Sequence, residues 1–99
     1  MIDLNPDALE LIKHILSKHL QDERVYVFGS RVSGKAKPHS DVDLILESKK
    51  PLAEDIILTL RNEFEDSDLP IRVDILDGAQ LSPNFRAIVE SNKVELLLR

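Results

Sequence analysis

The chain has 99 residues, 42% apolar and 31% charged, which suits one small globular domain over residues 1–99 and leaves little room for a second. It contains no cysteine, so a disulfide framework, thiolate zinc sites and thiol catalysis are excluded. The net charge of −5 argues against strong nucleic-acid binding, which needs a basic footprint, and no stretch approaches the roughly 20 apolar residues of a membrane span.

Asn5-Pro6 opens a helix, with Asn as N-cap and Pro at the first helical position. Leu9, Ile12, Leu16 and Leu20 keep helical spacing, Leu11 and Ile15 widen the stripe, and the helix is expected to end near Leu20. Residues 25–28 read as a short buried strand, 30–33 as one helical turn, 34–39 as a loop and 41–47 as a second strand. Pro51 suits the first turn of another helix, in which Leu52, Ile56, Leu60 and Phe64 recur every four residues. Pro70 can only open the strand that follows. There Ile71, Val73 and Ile75 share one face, and Arg72, Asp74 and Leu76 the other. Ser82-Pro83 repeats the cap-plus-proline start of a helix that runs to about Glu90, with Phe85, Ile88 and Val89 inward. Residues 94–98 read as a last strand, although their periodicity is also compatible with a helical extension. The order predicts an α/β (α+β) domain with a small mixed sheet of about four strands and helices packed against it.

The chemistry concentrates between the first two strands. Gly29-Ser30 ends one apolar run, and ten residues later Asp41-Val42-Asp43 begins the next. Residues two apart on a strand share a face, so Asp41 and Asp43 project together. Two such carboxylates repel unless a cation neutralises them, and a hard oxygen-seeking ion, Mg²⁺ above all, is the natural occupant. Asp74 adds a third carboxylate if its strand neighbours 41–47. Gly29 lets the backbone approach a phosphate, and Ser30 adds an N–H and a hydroxyl. Three carboxylates around two Mg²⁺ ions beside a glycine turn is the arrangement of two-metal phosphoryl or nucleotidyl transfer, in which Asp74 could also take the proton of the attacking hydroxyl.

Each part alone has a plainer reading. Asp commonly caps turns, a Gly-Ser pair is frequent, and Asp74 could simply pair with Arg72. The joint pattern, in order on three strand signals, is what carries specificity. The seven residues from Gly29 to Lys35 also match the start of a P-loop, G-x-x-x-x-G-K-[ST], but Ala36 stands where a hydroxyl should hold Mg²⁺, and Pro38 ends any helix there. His14 and His19 are five apart, which is not the spacing of a helical zinc pair. Arg31, Lys35, Lys37 and His39 fall within nine residues in the joining loop, where they read as attraction for a polyphosphate rather than as an ordinary solvated loop. Tyr26 and Phe28 read most simply as core.

Gly29-Ser30-x₁₀-Asp41-x-Asp43, with Asp74 downstream, resembles the nucleotidyltransferase superfamily that includes DNA polymerase β, and the chain's length resembles its minimal members. The resemblance spans residues 25–98. It implies that Gly29, Ser30 and Arg31 bind the nucleotide and that Asp41, Asp43 and Asp74 are catalytic and hold Mg²⁺, with ATP as donor. It further implies an antitoxin that transfers AMP to a hydroxyl, commonly of tyrosine, on a HEPN-domain toxin. The absence here of any domain that grips RNA or a drug, as larger relatives carry, agrees with a protein acceptor. Alternatives are a binding module that neutralises its partner by complex formation, or an enzyme acting on a small molecule or RNA end. The N-terminal residues lack the basic start and apolar core of a signal peptide, so the expected location is cytoplasmic.

Overall fold

A computed structural model describes residues 2–98 of the chain. The elements are α1 (Pro6–His19), β1 (Arg24–Phe28), α2 (Ser30–Ser33), β2 (Val42–Glu47), α3 (Ile56–Asp66), β3 (Val73–Asp77), a 3₁₀ turn (Gly78–Gln80), α4 (Pro83–Glu90) and β4 (Val94–Leu96). The strands form one mixed sheet in the order β3-β2-β1-β4. β1 lies antiparallel to β2 and β4, whereas β2 and β3 are parallel and are joined through α3, as a parallel pair requires. Among the described residues, no helix is long and apolar enough to cross a membrane.

The helix starts have local causes. Asn5 Oδ1 accepts the N–H of Asp7 at 2.8 Å, and Ser82 Oγ accepts that of Phe85 at 3.2 Å, each ahead of a proline. α3 departs from expectation by beginning at Ile56 rather than near Pro51. Ser48 Oγ accepts the Lys50 N–H at 3.2 Å, which closes a polar turn. Pro51 lies just after that turn and outside any helix, and its fixed φ alone does not nucleate one. β4 resolves the ambiguity of the C-terminal run, because Val25, Tyr26 and Val27 pair with Leu96, Glu95 and Val94.

Strand alternation sorts the two faces of the sheet. On one face the register aligns Val27, Leu44 and Ile75 in a row across β1, β2 and β3, flanked by Val25 beside Leu46 and Val42 beside Val73. α1 adds Ile12, Ile15 and Leu16, its C-cap adds Leu20, and α3 adds Leu60 and Phe64, completing the main core. His19 Nε2 donates to Glu63 Oε1 at 2.8 Å and Lys18 pairs with the same carboxylate, tying α1 to α3.

The opposite face carries a smaller cluster of Phe28, Ile45 and Val89, with Leu76, Leu81 and Phe85 packed beside it. The Phe28 and Phe85 rings meet edge to face at 5.9 Å. Arg86 anchors α4 by donating to Glu47 Oε1 at 3.2 Å and to the Gly78 carbonyl. Ile88, expected inward, is 60% exposed. Phe85 and Val89 stand four apart and make the inward line alone, so Ile88 falls outside the contact. The outer edge of β3 is guarded by Arg61, whose Nη2 donates to the Ile75 carbonyl at 2.9 Å.

Two leucines of α3 test this layering. Leu60 is fully buried and Leu58 is 60% exposed. Leu60→Ala should destabilise by about 3 kcal/mol, and Leu58→Ala by less than about 0.5 kcal/mol, as read from urea unfolding. Equal costs would contradict the assignment of the core face.

Candidate active site

The second face of the sheet ends in acids. Phe28 pairs with Asp43 across β1 and β2, and Asp43 pairs with Asp74 across β2 and β3, so the three side chains form one row. Asp41 lies two residues before Asp43, immediately ahead of β2 rather than within it as the alternation suggested. Asp41 is exposed, while Asp43 and Asp74 are half-buried. Burial first, then the charges of Asp74 and Asp41, push the Asp43 carboxyl above the usual carboxylate range. The sheet thus brings all three predicted acids into electrostatic contact.

Gly29 closes the site from β1. Its φ of 80° lies in the left-handed region that favours glycine. A Cβ placed there would stand 2.7 Å from Asp43 Oδ2, so a side chain is excluded twice over. The backbone then turns into α2, where the N–H groups of Val32 and Ser33 both reach the Gly29 carbonyl at 3.0 Å. Ser30 opens this turn and is partly exposed. Gly34, at φ 84°, ends it, and no helix follows. That geometry agrees with rejecting a P-loop, which needs a helix behind its glycines.

Arg31 has contacts that its sequence motif did not foretell. It is only 7% exposed, and its guanidinium donates to the carbonyls of Asp3 at 3.1 Å, Pro38 at 3.3 Å and Ser40 at 2.8 Å. Lys35, Lys37 and His39 are exposed on the loop, as is His14 on α1. Sequence reasoning had no signal for Ser40, whose Oγ accepts the Lys37 N–H at 2.8 Å while its own N–H donates to the Lys37 carbonyl at 3.0 Å. These two bonds fold the loop tightly just before Asp41.

Asp74 already has a cationic neighbour. Arg72 Nε donates to Asp74 Oδ1 at 3.0 Å, and the Arg72 side chain is otherwise mostly exposed. Among the described residues, no three carboxylate or imidazole groups are drawn together as a ready metal cluster. The donor set nevertheless suits a hard divalent cation. It supplies only carboxylate oxygens, the Asp43 carboxyl is pushed up by burial and by its acidic neighbours, and the competing Arg72 contact is weak because Arg72 is mostly exposed.

Comparison with known proteins identifies the family and the fold. The sequence model of the family described as "Polymerase beta, Nucleotidyltransferase" matches residues 10–99. A Haemophilus influenzae protein named a probable protein adenylyltransferase, MntA, is 44% identical over 88 residues, covering 89% of this chain and 77% of its own. Among solved structures, a toxin–antitoxin with AMP-PNP superposes with a TM-score of 0.73 at 22% identity, over 92% of this chain and 73% of that one. A mutant of the toxin–antitoxin MntA-HpeT gives 0.70 at 22% identity, over 95% and 72%. At that identity the two structures speak for the fold.

The raised Asp43 carboxyl has a consequence for stability. A carboxyl raised in the folded state opposes folding when ionised, an effect absent below the ordinary Asp range, about 3.9, and complete once the folded group has lost its proton. In metal-free buffer Asp43→Asn should therefore raise the Tm at pH 7, with the advantage shrinking as the pH falls toward 4. A gain that persists unchanged in acid would show that charge crowding is not its source. Gly29→Ala should cost about 2 kcal/mol, and less in an Asp43→Ala background, where only the backbone strain remains.

Proposed function

The chain belongs to the polymerase beta nucleotidyltransferase family, and we propose that it transfers AMP from ATP to a hydroxyl of a partner protein, as the antitoxin of a toxin pair. The observation that carries this reading is the row of Asp43 and Asp74 on adjacent strands, with Asp41 two residues away and the bare Gly29 backbone against Asp43. A protein acceptor is supported by the 44% identical relative named a probable protein adenylyltransferase. A toxin partner is supported by the toxin–antitoxin structures that share the fold. On this reading the partner is a HEPN-type toxin, the acceptor is a tyrosine, and the setting is the cytoplasm.

Asp41, Asp43 and Asp74 are the residues that would hold Mg²⁺, with two ions expected. When bound, the metal lowers the pKa of the attacking hydroxyl and neutralises charge on the triphosphate. Gly29 offers backbone with no side chain in the way, and Ser30 offers an N–H and a hydroxyl to phosphate oxygens. The acceptor oxygen forms a bond to the α-phosphorus, the α–β P–O bond breaks, and pyrophosphate leaves with its electron pair. Asp74 is the chain's candidate for the hydroxyl proton once its oxygen is released from Arg72. That release is cheap, since the Arg72 side chain is mostly exposed.

A second reading keeps the chain as an antitoxin that acts by complex formation alone. The Asp74–Arg72 pair, which engages one acid of the triad, is the observation in its favour.

The two readings separate on one experiment. Labelled ATP and Mg²⁺, incubated with the purified chain and the product of the adjacent gene, should label that product. Asp41→Asn with Asp43→Asn should reduce labelling by at least about 10³-fold, since losing the metal clamp costs several kcal/mol. If the double variant still protects cells from the toxin, complex formation suffices and catalysis is dispensable. Undiminished labelling would remove these two acids from the mechanism.

A further inference from the structure

Asp41 poses a structural problem. It precedes β2, is exposed, and belongs to neither a helix nor a strand, yet a carboxylate that shares a cation with Asp43 must be held to a fraction of an ångström. No side-chain contact of Asp41 does this among the described bonds. The two peptide groups on either side of it do. On the C-terminal side, the Val42 N–H donates to the Arg72 carbonyl at 2.9 Å, extending the β2–β3 ladder by one bond. On the N-terminal side, the Ser40 carbonyl, which lies in the peptide plane leading into Asp41, accepts from Arg31 Nη2 at 2.8 Å.

We propose that Arg31 is a positioning residue for the metal-holding acids: its buried guanidinium fixes the peptide plane that aims Asp41, rather than contacting the phosphates. This rests on the reading of Asp41 as a metal-holding carboxylate. Three features support it. The guanidinium fork reaches three main-chain carbonyls, at Asp3, Pro38 and Ser40, which a single ammonium at that depth could not span. Arg31 takes part in none of the ion pairs among the described residues; its Nη1 and Nη2 meet main-chain carbonyls and its Nε is buried without a partner. At 7% exposure, the side chain is also withdrawn from the solvent through which a triphosphate must arrive.

The clamp also reaches the N-terminal segment. Asp3 and Arg31 exchange bonds, with the Asp3 N–H donating to the Arg31 carbonyl at 2.7 Å and Nη1 returning to the Asp3 carbonyl at 3.1 Å. Ile2 and Leu4, on either side of Asp3, pack against the main core. The segment ahead of α1 is thereby tied through one guanidinium to the loop that carries Asp41. Order in the one is linked to order in the other.

The test uses Arg31→Lys, which keeps the charge and loses the fork, and Arg31→Met, which keeps the apolar stem and loses both. ATP binding is measured calorimetrically with and without Mg²⁺, and amide hydrogen exchange is followed at Asp3 and Ser40. Both variants should speed exchange at the two amides by at least about tenfold and remove about tenfold of the Mg²⁺-dependent gain in ATP affinity. Affinity for ATP without Mg²⁺ should stay within about twofold. If Arg31→Lys behaves as wild type, or if Mg²⁺-free affinity falls as far as Mg²⁺-dependent affinity, Arg31 is a phosphate ligand and the proposal is overturned. Should neither variant fold, native-state exchange of the wild type decides. The clamp requires Asp3 and Ser40 to open with one free energy, and separate openings overturn it. A wild type that gains no ATP affinity from Mg²⁺ defeats the nucleotidyltransferase reading, while the exchange measurements still judge the clamp.

Discussion

The parallel pairing of β2 with β3 is the constraint on which the rest of this molecule depends. Its register sets Asp43 beside Asp74 and, with the β1 pairing, brings Phe28 into the same row. Shifting that register by one residue would turn every side chain of β3 to the other face, burying Asp74 in the main core and exposing Val73 and Ile75. The apolar row of Val27, Leu44 and Ile75 is therefore what holds the acids in place, because the same register that satisfies it also aligns the carboxylates. Core and site are two faces of one pairing.

The placement has an electrostatic cost. Burial of Asp43, and then the like charges of Asp74 and Asp41 beside it, oppose folding when its carboxyl is ionised. The offset comes from the opposite face, where α1 and α3 bury a continuous apolar layer that the acids do not touch. α4 covers the Phe28 end of the row and Ile45 behind it, through Phe85 and Val89, while Asp43 and Asp74 stay only half-buried. Arg86 and Gly78 secure that arrangement from the far end of β2.

Much of this was legible in the sequence, and the reason is periodicity. Alternation over 71–76 assigned Asp74 to the face opposite Val73 and Ile75, and the Asp-x-Asp spacing joined Asp41 to Asp43. The proline-led helices at Pro6 and Pro83 were legible from their capping residues. What the chain did not disclose depends on contacts distant in sequence. Ile88 fits an inward stripe until the narrow footprint of α4 on the sheet is known. The four-residue spacing from Leu52 onward carries no signal for the late start of α3 at Ile56. Arg31 follows Gly-Ser as a phosphate-seeking arginine would, and only the fold reveals carbonyls from residues 3, 38 and 40 around its guanidinium.

Glycine and arginine in the same short turn thus act on the site by opposite means. Gly29 contributes by what it lacks, leaving space 2.7 Å from Asp43 Oδ2 that no side chain fills. Arg31 contributes reach, joining segments that secondary structure leaves unconnected. Neither needs a change in the sheet, because β1 ends where both begin. A cation that neutralises Asp43 relieves the repulsion built into the register, and one that also engages Asp41 draws on the order Arg31 imposes. Occupancy and folding stability are then coupled through the same three carboxylates, since whatever binds only the folded arrangement stabilises it by mass action. On the proposed reading of these acids as a cation site, the unliganded domain is the less stable form of the fold.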